Sequence, residues 1–251
     1  MEKQKNILTI ETSGQIGSVA ISQGDQILAH TQFSGVMKHT TELLPSIDKL
    51  TSDIGWKPAD IDYIYVSAGP GSFTGLRLAV TTAKTLAYAN NCRIVPVPSI
   101  DAQVLNADIA IADGFTDIKN VAVVLHAGRD MVFGGIYEKS ENTDGFISGY
   151  KTISQPTMID VEEFLAKAPK PLYVLGLGIK YHKDKFESSE AILLDEKYWS
   201  PQVKFVHSCG HLRAAANQFA GNDAFDDAVK FEPQYMRRPE AEVKWEELGR
   251  K

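Results

Sequence analysis

The stretch best equipped for chemistry is Gly69-Pro70-Gly71-Ser72-Phe73-Thr74-Gly75-Leu76-Arg77. Its three glycines stand between an apolar run and a long helical pattern. Glycine supplies positive φ angles and lets another backbone or a ligand come close. The unpaired N–H groups that open the following helix attract anions. Ser72 and Thr74 can cap that helix or bond a phosphate, so Gly69, Gly71, Ser72, Thr74 and Arg77 form a candidate anion or nucleotide contact. No Gly-Lys-Ser/Thr follows, which excludes a Walker loop. The glycine spacing also differs from the dinucleotide fingerprint. A tight, well-capped strand-to-helix turn accounts for the same residues, and both readings stand.

Other constellations carry less. His207-Ser208-Cys209-Gly210-His211 puts two histidines at i, i+4 around a cysteine, a spacing that suits a metal when it lies on a helix. Gly210 and the polar neighbours point instead to a loop-to-helix junction, and no carboxylate ligand is close by, so no metal is assigned. Asp223, Asp226 and Asp227 can serve acid–base chemistry or hold Mg²⁺; they read as a solvated loop. Gly176-Leu177-Gly178 fits an approach to a nucleotide and a plain strand-to-helix turn equally well. Cys92 opens an apolar strand and reads as a core thiol. No Ser/His/Asp or Cys/His set has supporting spacing, so no catalytic residue is assigned.

The elements that must position these groups follow from period and punctuation. Ile7–Ile10, Ser18–Ile21 and Gln26–Phe33 are short strands separated by Gly and Asp turns, an antiparallel meander. From Lys38 to Thr51, Leu43, Leu44, Ile47 and Leu50 recur at helical spacing, with Pro45 kinking this helix or lying in its first turn. Ile61–Ser67 is a strand, the glycine-rich segment leads into a helix reaching Asn90, and Arg93–Val97 is a further strand before a helix capped by Ser99. The second half repeats the order. Its strands are Val121–His126, Met131–Glu138 and Phe146–Ile153, followed by a helix that Asp160 and Glu163 start as a capping box. Pro171–Leu175 is another strand, and His211–Phe219 a last helix. The order β-β-β-α-β-α thus occurs twice, without a residue-level repeat. The expected division is a first core over 1–104, a smaller second core over 105–232 and a charged tail over 233–251, where Glu240/Lys244 and Glu246/Arg250 have i, i+4 spacing.

Composition bounds the rest. The 251 residues are 43% apolar and 23% charged, an ordinary globular balance. A net charge of −6 disfavours an unaided grip on nucleic acid. Two distant cysteines make no disulfide framework and suit a reducing compartment. The first apolar run is broken at Glu11, which fits neither a signal peptide nor a membrane span. A cytoplasmic location without membrane association is expected.

The segment Gly69 to Arg77, continuing to Lys84, closely resembles the GPGSFTGLR signature of the TsaB (YeaZ-like) family. Other stretches line up in order. Ile7–Ser13 resembles the family's first strand and turn, with Glu11 where Asp is usual. His39 with Leu43-Leu44-Pro45 resembles H-x-x-x-LLP, and Val97–Ile100 the element after the fifth strand. Pro233–Arg237 with Pro239–Glu242 resembles the C-terminal signature. The likeness is weakest from Asn106 to Asp223. A usual Asp-Ala-Arg-type segment reads His126-Ala127-Gly128-Arg129 here.

The resemblance implies an α/β fold of the actin–hexokinase–Hsp70 (ASKHA, RNase H-like) superfamily, two β-β-β-α-β-α cores with the second degenerate. It implies an accessory, non-catalytic subunit. The relative TsaD would hold metal and nucleotide and transfer the threonylcarbamoyl group to adenosine 37 of tRNAs reading ANN codons. The ATPase TsaE would dock on the pair. ATP and Mg²⁺ would then enter through TsaD and TsaE, tRNA would be met only indirectly, and a homodimer is an option for the lone chain. The paired-His metal helix of TsaD has no counterpart, since the first half carries only the poorly spaced His30 and His39. In the family the two helices of the first half meet TsaD. That implies an interface of His39, Leu43, Leu44, Ile47, Leu76, Val80, Ala83 and Ala87, and an expectation that Leu43→Arg or Ala83→Arg weakens TsaD binding with the fold intact. The competing readings are a residual ATPase, a peptidase acting on TsaD, and a stand-alone nucleotide-binding module.

Overall fold

Six consecutive buried residues, Asn6–Glu11, form β1, the central strand of the first sheet. A strand covered on both faces needs neighbours on both sides. β1 has antiparallel β2 (Ser18–Gln23) on one side and parallel β4 (Tyr63–Gly69) on the other. β3 (Gln26–Gln32) and β5 (Arg93–Pro98) close the order β3-β2-β1-β4-β5. The computed structural model describes residues 4–141, 145–235 and 245.

The second sheet repeats this plan. β6 (Asn120–His126), β7 (Met131–Lys139) and β8 (Tyr150–Asp160) form the meander, and β9 (Leu172–Leu175) and β10 (Ile192–Leu193) add in parallel, giving β8-β7-β6-β9-β10. The fold is therefore the expected pair of ASKHA-type cores. The second is the reduced one, because β10 has only two residues.

Side-chain alternation assigns the helices to layers. Ile64 and Val66 of β4 face α1 (His39–Asp53), α2 (Phe73–Asn90) and α9 (Ala224–Lys230), while Tyr65 faces α8 (Val203–Ala215). α8 and α3 (Ser99–Val104) fill the space between the two sheets, with α4 (Asn106–Ala112) alongside. α5 (Val161–Lys167), α6 (Gly178–Tyr181) and α7 (Lys183–Glu187) cover the far face of the second sheet. Residues 105–232 thus supply the second sheet and also send α8 and α9 back onto the first. Among the described residues no helix is long and apolar enough to cross a membrane.

Three elements differ from expectation. α8 starts eight residues before His211, so His207–His211 lies inside a helix rather than at its entrance. Gly210 is there for contact, not for a break: a Cβ on it would sit 2.5 Å from Cγ of the Tyr65 ring. His207 is buried among sheet residues, one ring nitrogen 3.3 Å from the Ser22 hydroxyl and the other 3.2 Å from the Asp25 carbonyl. β8 runs past Ile153 to Asp160 because an edge strand tolerates Pro156, which lies beside a register shift opposite Gly134 and Ile136. Pro45 sits in the second turn of α1 with its ring in solvent.

The acidic cluster is likewise structural. Asp223 caps α9, accepting from the Asp226 N–H. Asp226 pairs with Lys230 at 3.0 Å. Asp227 is fully buried and bound to Arg93, and is not a solvated loop residue. Asp160 caps α5 as expected, accepting from the Glu162 and Glu163 N–H groups, although the Glu163 carboxylate turns to Lys167 instead of completing a box.

Candidate functional site

The glycine-rich segment is built around the β1–β2 turn. Gly69 has φ +111°, and Ser72 caps α2 by accepting from the Gly75 N–H at 3.3 Å. A Cβ on Gly75 would lie 2.0 Å from the Thr12 carbonyl oxygen, and one on Gly71 would lie 2.5 Å from that of Ser13. The Ser72 N–H donates to Ser13 O at 2.8 Å, and the Thr12 hydroxyl donates to Gly75 O at 2.8 Å. These glycines admit another stretch of the chain's own backbone. Thr74 is exposed on the first turn of α2, and Arg77 points outward, its guanidinium 3.9 Å over the Phe73 ring and its Nε donating to the Tyr235 hydroxyl.

Glu11 closes the same turn from beneath. Its carboxylate is buried, and one oxygen accepts from the Ser13 N–H at 2.5 Å, the Ser13 hydroxyl at 2.7 Å and the Gly14 N–H at 3.3 Å. The turn amides that could cradle a phosphate are therefore occupied by the chain itself. Burial pushes the Glu11 carboxyl above the ordinary value of 4.5, against the hydrogen bonds from Ser13, Ser67 and Gly14 that pull it down. The unfolded chain then loses this proton first as the pH rises, so the folded state holds more protons and stability falls above pH 4.5. Glu11→Gln, which lacks the titration, should show a shallower loss of melting temperature as the pH rises above 4.5. Parallel curves for the two proteins would show that Glu11 is ionised in the fold.

A cleft of about 280 Å³ opens between the two sheets. One wall is the β1–β2 turn, Ser13 to Gln15, with Gly71 and Ser72 of the α2 entrance. The other carries His126, at the end of β6, stacked on Tyr181 of α6 with ring centroids 4.1 Å apart. Gln103 of α3, Trp199 and Glu196 also reach it, and among the described residues no lysine or arginine lines it. Leu177 brings the β9–α6 turn to the rim. Gly176 and Gly178 are required there by the Val124 carbonyl, 2.3 and 2.9 Å from where their Cβ atoms would be. No group of three or more potential metal ligands occurs among the described residues.

The two signature segments meet in space. The Gln234 N–H donates to Ala68 O at 2.7 Å, Gln234 O lies where a Gly69 side chain would begin, and the Tyr235 ring is 5.2 Å from that of Phe73. A family model described as TsaD, tRNA N6-adenosine threonylcarbamoyltransferase, matches residues 18–245. The chain belongs to that family. Within it, the chain sides with the TsaB (YeaZ-like) members. It is 27% identical to tRNA threonylcarbamoyladenosine biosynthesis protein TsaB of Bacillus subtilis, over 95% of this chain and 97% of that one. It is 26% identical to the protein of that name from Escherichia coli, over 96% and 97%. A tRNA N6-adenosine threonylcarbamoyltransferase of Sulfurihydrogenibium is 32% identical over only 39% of this chain and 34% of its own length. The solved structure of YeaZ from Pseudomonas aeruginosa superposes with a TM-score of 0.71, covering 92% and 99% of the two chains at 21% identity, and so shares the fold.

The structure places the residues read from sequence as an interface mostly inside the fold. His39, Leu43, Ile47, Leu76, Val80, Ala83 and Ala87 are buried against the first sheet and its neighbouring helices. Leu44 alone of that set faces solvent, at 59% exposure. Leu43→Arg and Ala83→Arg would bury an unpaired guanidinium and remove the fold before reporting on any partner. His39 serves the turn. Its ring packs edge-on against Phe33 and contacts the Gly14 backbone, and burial lowers its pKa from 6.5, so it is neutral at pH 7. Of the C-terminal signature, Gln234 and Tyr235 are placed as above, and residues 236–244 and 246–251, including members of both i, i+4 pairs, lie outside the described residues.

Proposed function

We propose that this chain takes part in tRNA threonylcarbamoyladenosine biosynthesis as a non-catalytic subunit that binds TsaD and activates threonylcarbamoyl transfer to adenosine 37. The reading rests on family membership and on one feature of the surface, the outer side of the α1–α2–α9 layer. There Leu44 is 59% and Tyr88 72% exposed, and Phe225 and Val229 extend the apolar character along α9. Surface helices normally turn charged residues outward, and exposed apolar groups such as the Tyr88–Phe225 pair, with ring centroids 6.0 Å apart, favour a protein contact. ATP and Mg²⁺ would be handled by TsaD and by a docked TsaE. The charge of −6 fits a subunit that meets tRNA only through them.

An ATPase reading needs the β1 carboxylate to reach a metal-bound nucleotide. Glu11 is buried and bound to its own turn instead. The test is co-elution with TsaD and product formation with TsaD, TsaE and threonylcarbamoyl-AMP synthase. Leu44→Arg combined with Tyr88→Arg should weaken co-elution by at least about tenfold and depress product formation in step, with an unchanged melting temperature. Unaltered co-elution would remove this face from the interface. Full product formation without the chain would end the accessory reading.

A further inference from the structure

The entrance of α8 carries positive charge that the fold leaves unanswered. α8 is 13 residues long, and its N-cap, Gln202, gives the helix no side-chain hydrogen bond. The Phe205 and Val206 N–H groups turn back to Gln202 O at 3.0 and 3.3 Å, but those of Val203 and Lys204 meet no acceptor among the described residues. Unpaired N–H groups at a helix start act as about half a positive charge. No acidic residue stands in the first turn to balance it, and Lys204 adds an ammonium there, against the helix dipole. Lys204 is exposed, lies 4.8 Å over the Phe205 ring and pairs with no carboxylate among the described residues.

A second group reaches the same place from the sheet. Ser18, Ala20 and Ser22 share one face of β2, and from it Ser22 meets His207 of α8. Ser18 is only 6% exposed, yet its hydroxyl makes no hydrogen bond among the described residues. A polar group held out of water without a partner costs free energy. This hydroxyl is not sealed in: Ser18 lines a trough of about 660 Å³ whose other wall is Gln202, Val203 and Lys204. Ser200 and Pro201 separate the trough from the cleft between the sheets. His30 and Ile27 of β3 form its floor, and among the described residues no carboxylate lines it. Lys197 lines it too, but is already paired with Asp113 at 2.7 Å. Two N–H groups, a hydroxyl and an ammonium, all able to donate and none with an acceptor, suit an oxyanion. The volume lies within the range of small-molecule sites, roughly 300–1,000 Å³, so there is room for more than a bare ion.

We propose that this trough binds a small phosphomonoester. The Val203 and Lys204 N–H groups, the Ser18 hydroxyl and the Lys204 ammonium hold the phosphate, and the organic part lies over Ile27 and His30. This inference is independent of the accessory role, since it involves neither the α1–α2–α9 face nor the cleft. Titration of the nitrogen-15-labelled chain with glycerol 3-phosphate and with inorganic phosphate, at an ionic strength held constant with sodium chloride, tests it. The amide signals of Val203 and Lys204 should shift saturably with glycerol 3-phosphate at millimolar concentration or below, and inorganic phosphate should bind at least about threefold more weakly. Lys204→Glu should weaken glycerol 3-phosphate at least about tenfold with no loss of melting temperature, since an acidic residue suits the start of a helix. Ser18→Ala, which removes a single oxygen, should weaken it at least about threefold. Tyr181→Ala, which alters the cleft, should leave the affinity as it is. The absence of a saturable shift, shifts reproduced by chloride alone, or equal affinity in Lys204→Glu would each overturn the proposal. So would a loss of binding in Tyr181→Ala, which would move the ligand to the cleft, or inorganic phosphate binding as tightly as glycerol 3-phosphate, which would leave a site for a free anion only.

Discussion

Asp227→Ala should lower the melting temperature by roughly 10 °C, from a loss of about 3 kcal/mol. Asp227 is completely buried, yet it carries three interactions that no neighbour can replace. One oxygen accepts from Arg93 Nε at 2.5 Å and from the Ile94 N–H at 3.1 Å, and the other accepts from the Gly221 N–H at 2.5 Å. Removing the carboxylate strands two amides and leaves the Arg93 guanidinium, still donating to Gly221 O, without its carboxylate partner. Arg93 keeps part of its surface in water and stacks 4.0 Å over Phe219, which holds the expected loss to the lower end for a broken buried pair. Asp227→Asn retains an acceptor and should lose about half as much. The consequence reaches the face proposed to meet a partner, because α9 is held on β5 by this contact and presents Phe225 and Val229. Thermal melts of the three proteins check it, and an alanine variant melting within about 1 °C of wild type would show that the pair contributes nothing net.

Asp227 and Arg93 are 134 positions apart, and nothing in the run Asp223–Asp227 distinguishes a capping carboxylate from a buried one. Local pattern served where it was periodic. The first meander, the glycine-rich turn into α2 and the cap at Asp160 emerge where expected, and the second meander emerges with its last strand displaced to Tyr150–Asp160. It failed where a neighbour decides the role of a residue. Leu43 and Leu44 are adjacent leucines about 100° apart on one helix, and only the position of the sheet decides that Leu43 is buried and Leu44 exposed. Gly210 looked like a helix breaker because its partner, the Tyr65 ring, is remote in sequence. Gln103 belongs to no motif, and an unsatisfied oxygen can be recognised only once its surroundings are known.

Gly75→Val should be the most damaging single change in the signature segment, costing about 3 kcal/mol or more and lowering the melting temperature by roughly 10 °C. Any Cβ at this position falls 2.0 Å from the Thr12 carbonyl oxygen. Both atoms are held: the turn is tied to the Glu11 carboxylate, and α2 is tied to the turn by Ser72 N–H to Ser13 O and Thr12 hydroxyl to Gly75 O. The helix must therefore withdraw, which strips its cap, opens the contact between Ala68 and Gln234, and tilts the surface that carries Tyr88. The proposed binding to TsaD should fall with stability although residue 75 is buried behind the proposed face. Thr74→Ala, one residue away and exposed, should stay within about 0.5 kcal/mol of wild type. The contrast separates two explanations of the motif. If the glycines exist to admit a phosphate, Gly75→Val should spare the melting temperature. If they exist to admit Thr12 and Ser13, it should melt early with no ligand present, and the motif is then a mark of how the first turn and α2 are locked together in this family.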